Sequence, residues 1–500
     1  MRPPNLPRLS QKMKMPATEV FIFALVMGIY GYFYSNGGAS QNARLDSIYA
    51  FVEPGHKESY TFRINRFLPL PLEGINTLDW AFYDGNFYSN KAPGTTFVGI
   101  PFYFIIFYTE KLLGMDISNP YIEILNAYLL NFIISIIPVA VAGVLFFRIA
   151  NLHFSLSEKK SLFCTLILLF GTPLFPYSIQ LWGHTTAAAF LVFSLYFLLA
   201  SKESNSLFWS GFWIGLATLT DYFCGIFAFI MTVILLLREK KNCIYFIAGG
   251  LIPCLALLAY QTACFGSPLS VSITQSVFKQ ENEFLGAFRP PRLKALYYIL
   301  LSPKRGLFAH TPILAISLVA IFYAFKKNKN MIPLYLSASC ILAAVIANSS
   351  FNIWWGGAST CLRYLICSMP LWILLLAYLP AGKPIFLLAV SLFAFSFFNM
   401  LAVASVSPEY LVDTANPLYG WTYEMFFSGN MSVFKSPIRL QFFHPQWEQF
   451  KYWTSWNIGM LVGMKGFASL LPLFLFVSTA SLGYCAISRQ KISGKGLCPK

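Results

Sequence analysis

The sequence predicts an all-α fold, a polytopic transmembrane helix bundle of about twelve spans. Three observations carry that class. Charged residues make up 11% of the 500-residue chain and apolar ones 57%, whereas a soluble domain is about 25% charged. The apolar residues come in blocks near the roughly 20 residues that cross a bilayer as a helix. The short connections between blocks carry clustered Lys and Arg, as cytoplasmic loops do. A barrel is excluded because the blocks do not alternate apolar and polar residues over about 10-residue strands.

In chain order the apolar blocks fall near 17–35, 95–112, 122–148, 160–180, 184–201, 206–220, 222–237, 243–263, 307–325, 332–348, 364–380, 384–405 and 456–487. The first has no small-residue cleavage site after it and reads as a retained helix. Basic clusters stand at Arg2 to Lys14, at Arg148 with Lys159-Lys160, at Arg238-Lys240-Lys241, at Lys326-Lys327-Lys329 and at Arg489-Lys491-Lys495. If 95–112 spans, the clusters after 148, 237 and 325 and at the C-terminus fall outside. If 95–112 lies along the surface or re-enters, all five fall inside. The second arrangement satisfies the positive-inside rule, so both termini are expected in the cytoplasm and the protein in the bacterial inner membrane. The chain then reads as one integral-membrane domain over 1–500, with 36–121 as a long first outer loop and 406–455 as a late one.

The net charge of +16 belongs to this loop asymmetry and not to nucleic acid. The ten cysteines sit mostly inside apolar blocks and show no metal spacing or disulfide framework. No P-loop, GxGxxG, HExxH or Cys/His metal pattern occurs, so neither a cofactor nor a metal is expected.

The outer connections hold most of the polar residues, and a site is sought there. "NARLDSIYAFVEPG" brings Arg44 and Asp46 soon after the first helix. "FYDGNFYSNKAPG" follows Asp79 with Asp84 and then Lys91, a cation abutting an apolar run. An idle charge there is costly, although loop charges are usually just solvated. His184 in "QLWGHTTAAAF" opens a helix, where capping is the plain reading. Asp221 lies at an apolar bend, where capping and function compete. Lys304-Arg305 stand outside against the positive-inside trend. Trp354-Trp355 read as interfacial belt residues, while the adjoining Gly356-Gly357 indicate close backbone approach. Arg363 begins the next helix. Several cations at outer helix ends suit a phosphate or pyrophosphate at headgroup depth.

Taken together, the Arg and Asp after the first helix, "YDGNFYSNKAPG", "LWGHTTAAA", "SPKRGLF" and "WWGGASTCLRYL" resemble bacterial membrane glycosyltransferases of the GT-C superfamily, over roughly residues 15–400. The resemblance is to the mannosyltransferase and aminoarabinose-transferase group. It implies a GT-C-like bundle whose first outer loop carries juxtamembrane helices. It also implies transfer of a sugar from a polyprenyl-phosphate carrier to a glycan, lipid or protein acceptor on the periplasmic face, with inversion. An acid of the first outer loop is the general base in such enzymes, and basic residues bind the carrier phosphate. The resemblance makes Asp46 the favoured base and Lys91 the favoured phosphate ligand. The paired acids that follow the first helix in those enzymes are replaced here by "SQNARLD", with one acid, which leaves the base open between Asp46, Asp79 and Asp84. Arg44, His184, Asp221, Lys304, Arg305, Trp354, Trp355 and Arg363 complete the expected substrate and phosphate set.

Two rivals stand beside this reading. A transporter or flippase of lipid-linked sugars would place polar residues near the bilayer midplane and show inverted repeats. A non-catalytic assembly protein shares fold without chemistry. The ionisable residues sit at helix ends and no repeat is visible, which favours the enzyme.

Overall fold

The computed structural model describes residues 16–36, 38–68, 77–200, 203–276, 287–327, 331–380, 382–410, 415–431 and 454–494. The basic cluster from Arg2 to Lys14, Lys329 and Lys495, and most of the late loop, lie outside the described residues. The protein is mostly helical. Among the described residues six helices are long and apolar enough to cross a membrane: Tyr121–His153, Gly183–Ala200, Cys243–Phe265, Met331–Ser350, Lys383–Val406 and Gly466–Arg489. Shorter apolar helices run over Ala17–Gly31, Cys224–Arg238, Pro312–Lys326 and Arg363–Tyr378. The segment expected along the surface forms the helix Gly94–Leu112 and is in neither group.

The bundle surface is apolar, as a lipid-facing surface requires. Leu237, Phe322, Leu475 and Leu482 stand exposed. Helices approach each other through small residues, since lipid gives no hydrophobic drive to pack them. A Cβ added to Gly211 would lie 1.8 Å from the Phe246 carbonyl oxygen, and one on Gly249 would lie 1.9 Å from that of Phe208. The helices Ser204–Thr220 and Cys243–Phe265 therefore touch backbone to backbone. This contact fixes the end of the first of them, where Asp221 follows.

Two short antiparallel sheets shape the polar end. Phe33–Asn36 pairs with Thr454–Asn457, Phe33 opposite Asn457, which returns the C-terminal part of the chain to the first helix. Trp80–Tyr83 pairs with Asn86–Ser89. Its two-residue turn is Asp84-Gly85, with φ of 47° and 72°. Both central residues at positive φ give the turn that matches strand twist, and Asp-Gly is a preferred pair for it.

The loop expected over 36–121 opens with the helix Ala39–Val52. Apart from Ala39 and Phe51, all its residues are buried, including Arg44 and Asp46. This helix is folded into the protein.

At the opposite end of the first helix, Arg148 donates Nε and Nη2 hydrogen bonds of 2.8 and 2.7 Å to the two oxygens of Glu19. Thr18 beside it donates to Glu158.

Candidate functional site

The hairpin brings Asp79 and Lys91 together. Beyond its last paired residues, the Asn90 amide donates to the Asp79 carbonyl at 3.2 Å. This continues the ladder and leaves Lys91 next to Asp79. The Lys91 ammonium meets the Asp79 carboxylate at 2.9 Å, both side chains being largely buried. Thr77 holds this end in place: its hydroxyl donates to Ala39 carbonyl at 2.7 Å and accepts from Asp79 amide at 3.0 Å. On the far side Asn90 donates to the Ser276 hydroxyl at 3.0 Å, and the Ser272 hydroxyl donates to Asn90 carbonyl at 3.1 Å.

Helix ends deliver the remaining groups. His184 opens the helix Gly183–Ala200, and its Nδ1 lies 2.6 Å from Asp221. Asp221 also accepts from the Phe223 amide at 3.1 Å, so it caps the bend and orients the imidazole at once. Arg44 reaches the same place from Ala39–Val52. A Cβ on Gly183 would fall 2.6 Å from the Thr220 carbonyl oxygen and 3.2 Å from Arg44 Nη2. Arg44 donates from Nη1 to the Ser40 hydroxyl at 2.8 Å and forms no ion pair among the described residues.

Arg363 enters at the start of its helix. Its guanidinium carbon lies 4.8 Å from the Trp182 ring centre and 5.4 Å from that of Tyr364, a stacking suited to a planar cation. Gly356 and Gly357 pass beside it with φ of 72° and 69°. A Cβ on Gly356 would lie 3.1 Å from Arg363 Cγ, so the close approach expected of this pair is to Arg363. Arg363 too forms no ion pair among the described residues.

Electrostatics couple these groups. Burial pushes the Lys91 ammonium down to about 8, against the pull of Asp79, while Arg363 and Arg44 repel it further. Burial alone would raise the Asp79 carboxyl, but Lys91, Arg363 and Arg44 together hold it below the usual carboxylate range. Burial lowers Arg44 to about 10. A third acid belongs here that sequence reasoning missed. Glu409 is buried, and burial pushes its carboxyl up to about 7 against the field of Arg363. "SVSPEYL" offers no local signal for it beyond the acid itself.

The other expected residues lie differently. Asp46 is 1% exposed within the Ala39–Val52 helix. Asp84 stands exposed in the hairpin turn. Arg305 is buried and braces the glycine loop: it donates to Ser359 Oγ at 2.9 Å and to the Gly357 carbonyl at 2.7 Å, and it also donates to the Ser359 carbonyl and the Tyr410 hydroxyl. Lys304 is half-buried beside it. Trp354 packs on Tyr298 and Trp355, and Trp355 is 40% exposed. The structure thus gathers Arg44, Asp79, Lys91, His184, Asp221, Arg363 and Glu409 into one cluster. Asp84, Lys304, Trp354 and Trp355 stay outside it, and Arg305 supports its wall.

No protein-family model matches the sequence, and no curated protein matches it. Among solved structures the chain is similar to the crystal structure of ArnT from Cupriavidus metallidurans bound to undecaprenyl phosphate, at 12% identity and a TM-score of 0.46, over 78% of this chain and 63% of that one. The likeness therefore spans less than two thirds of that protein. At this identity the chemistry rests on the chain's own residues.

Proposed function

We propose that the protein is a membrane glycosyltransferase that moves a sugar from a polyprenyl-phosphate donor to a hydroxyl acceptor on the outer face of the membrane. One observation carries this reading. Three cations, the buried Arg44 and the half-buried Lys91 and Arg363, meet where apolar helices end, and only Lys91 is matched by an ion pair among the described residues. Buried cations are ordinarily paired. An unmatched group of them is arranged for an anion that arrives, and a phosphate with a long apolar tail arrives at such a depth.

The chemistry follows from the charges. Attack at the sugar's anomeric carbon breaks its bond to the phosphate oxygen, and the electron pair leaves with the phosphate. Cations already fixed around that oxygen stabilise the growing charge without reorganising. Arg363, stacked on Trp182, and Lys91, held by Asp79, are fixed in this sense. The His184–Asp221 pair lines the same cluster and positions polar groups of the sugar. Acids and bases at helix ends also speak for a surface reaction against midplane transport.

The test is to incubate the purified, lipid-reconstituted protein with undecaprenyl-phosphate-linked glucose, mannose, N-acetylglucosamine and aminoarabinose and with extracted envelope lipids and glycans. Release of undecaprenyl phosphate supports the reading. No release from any donor, together with no binding of undecaprenyl phosphate itself, overturns it.

A further inference from the structure

Transfer to a hydroxyl needs a group that takes the acceptor's proton, and the site holds several carboxylates. Most are committed. Asp79 is 2.9 Å from Lys91, and its charge holds that cation in place. Asp221 is 2.6 Å from His184 and caps a bend. Asp46 is 1% exposed and so closed to an arriving acceptor, and Asp84 belongs to the hairpin turn.

Glu409 is placed differently. It follows the helix Lys383–Val406, and its backbone is pinned on both sides. Thr360 amide donates to Pro408 carbonyl at 2.9 Å, and Tyr410 amide donates to Ala358 carbonyl at 3.1 Å. Glu409 amide donates to the Ser407 hydroxyl at 3.1 Å. The residue is thereby stitched to the same 356–360 loop that cradles Arg363. Its side chain points toward the start of the Ala39–Val52 helix. A Cβ on Gly38 would lie 2.5 Å from Glu409 Oε2 and 2.3 Å from Gln180 Nε2. Only glycine leaves that space to the carboxylate and the amide. Glu409 forms no ion pair among the described residues.

We infer that Glu409, seated between Gly38 and Gln180 and stitched to the Arg363 loop, is the proton acceptor of the transfer; this deepens the glycosyltransferase reading and rests on it. The acceptor O–H bond gives its proton to a Glu409 oxygen as the acceptor oxygen bonds the anomeric carbon. The carbon–oxygen bond to phosphate breaks, and the electron pair stays on the phosphate beside Lys91 and Arg363. The proton then passes from Glu409 to water. The groups facing Glu409 are Arg363 from its helix start, Asp79 and Lys91 from the hairpin end, and Gln180 from the bend before Trp182. Beyond them stands the Arg305–Tyr410 contact. Burial in this setting brings the carboxyl to about 7, where a general base works best near neutral pH.

The experiment follows release of undecaprenyl phosphate from its glycosylated form against pH, with binding of undecaprenyl phosphate measured in parallel. Wild-type kcat/KM should fall about tenfold per unit below about pH 7. Glu409→Gln should lower turnover by roughly 10²–10⁴ and abolish that acidic limb, while undecaprenyl phosphate binds as in wild type. Glu409→Asp should restore part of the rate. A Glu409→Gln enzyme within threefold of wild type, with the limb intact, overturns the inference and leaves the glycosyltransferase reading standing. Should Glu409→Gln fail to fold, a wild-type profile flat between about pH 5.5 and 8 overturns it as well. A wild type that neither releases nor binds undecaprenyl phosphate removes the function reading, and this inference with it.

Discussion

The two ends of the first helix treat buried charge in opposite ways. At its start, Arg148 and Glu19 satisfy each other through two parallel hydrogen bonds, one cation to one anion. Past its end, Arg44, Lys91 and Arg363 share a space with Asp79, Asp221 and Glu409, yet among the described residues only Lys91–Asp79 and His184–Asp221 close into pairs there. A bidentate pair closed on itself is a fastener. A cluster with cations left over is, in the function proposed, held ready for an anion. Charge alone therefore does not mark the site in this chain; how far each charge is already answered does.

The widest way to break this comparison is to cut the fastener. Arg148→Met leaves Glu19 buried without its partner, which costs about 3 kcal/mol by the measure of other broken buried pairs. The expected outcome is a clear drop in melting temperature, read by the loss of folded protein on heating in detergent. Turnover per folded molecule should stay at the wild-type level. A rate loss without a stability loss would mean that this end also serves the reaction.

The next effect is smaller and falls on the other quantity. Lys91→Ala removes a charge-assisted contact to phosphate, worth roughly 1.5–3 kcal/mol, or about 10- to 150-fold in affinity for undecaprenyl phosphate. Lys91→Arg should recover part of it, because a guanidinium presents different geometry. Stability should change little, since Asp79 keeps Arg363 and Arg44 nearby. The pH dependence carries a sign. Lys91 is charged below about 8 and loses its proton above it, so affinity for the phosphate is kept at neutral pH and lost as pH rises through 8. A bound phosphate raises that value, so the alkaline limb belongs to kcat/KM and not to kcat. Unchanged binding by Lys91→Ala would reduce Lys91 to a partner for Asp79.

How much of this was legible depended on distance along the chain. The apolar blocks at 184–201, 243–263, 332–348 and 384–405 became helices with nearly those bounds, because hydrophobicity over one segment is local information. Lys91 was singled out by its position beside an apolar run and Asp79 as one of three candidate acids, and they meet through a hairpin between them. Gly356-Gly357 announced a close approach, and the cation they approach is Arg363. Glu409 was not legible. Its neighbours are Gly38, Gln180 and the 356–360 loop, far away in sequence, and a lone acid in a loop carries no periodic signal. Asp46 and Arg305 drew attention as charges. What decides their use is tertiary: one lies inside a buried helix, and the other is answered by loop carbonyls. The span count of about twelve rests on charge parity, while among the described residues six helices meet the length and hydropathy of a span.

The smallest expected effect sharpens the comparison most, because it concerns a charge a few residues from the site. Asp84 and Lys91 share one motif, and sequence alone ranks both as candidates. Asp84 occupies a hairpin turn at φ 47°, and its carbonyl accepts from the Asn86 side chain at 2.8 Å. Its side chain is exposed, and what the turn asks of it is tolerance of positive φ, which Asn supplies as well as Asp. Asp84→Asn should therefore change stability by less than about 0.5 kcal/mol and leave turnover and undecaprenyl phosphate affinity unaltered. Asp84→Val should behave otherwise: a β-branched residue resists positive φ, so the hairpin loosens and Lys91 loses its fixed place beside Asp79. The expected signature is weaker phosphate binding with the chemistry of bound donor preserved. A rate loss in Asp84→Asn equal to that in Asp84→Val would show that the carboxylate itself takes part, and the line drawn between turn residue and site residue would have to move.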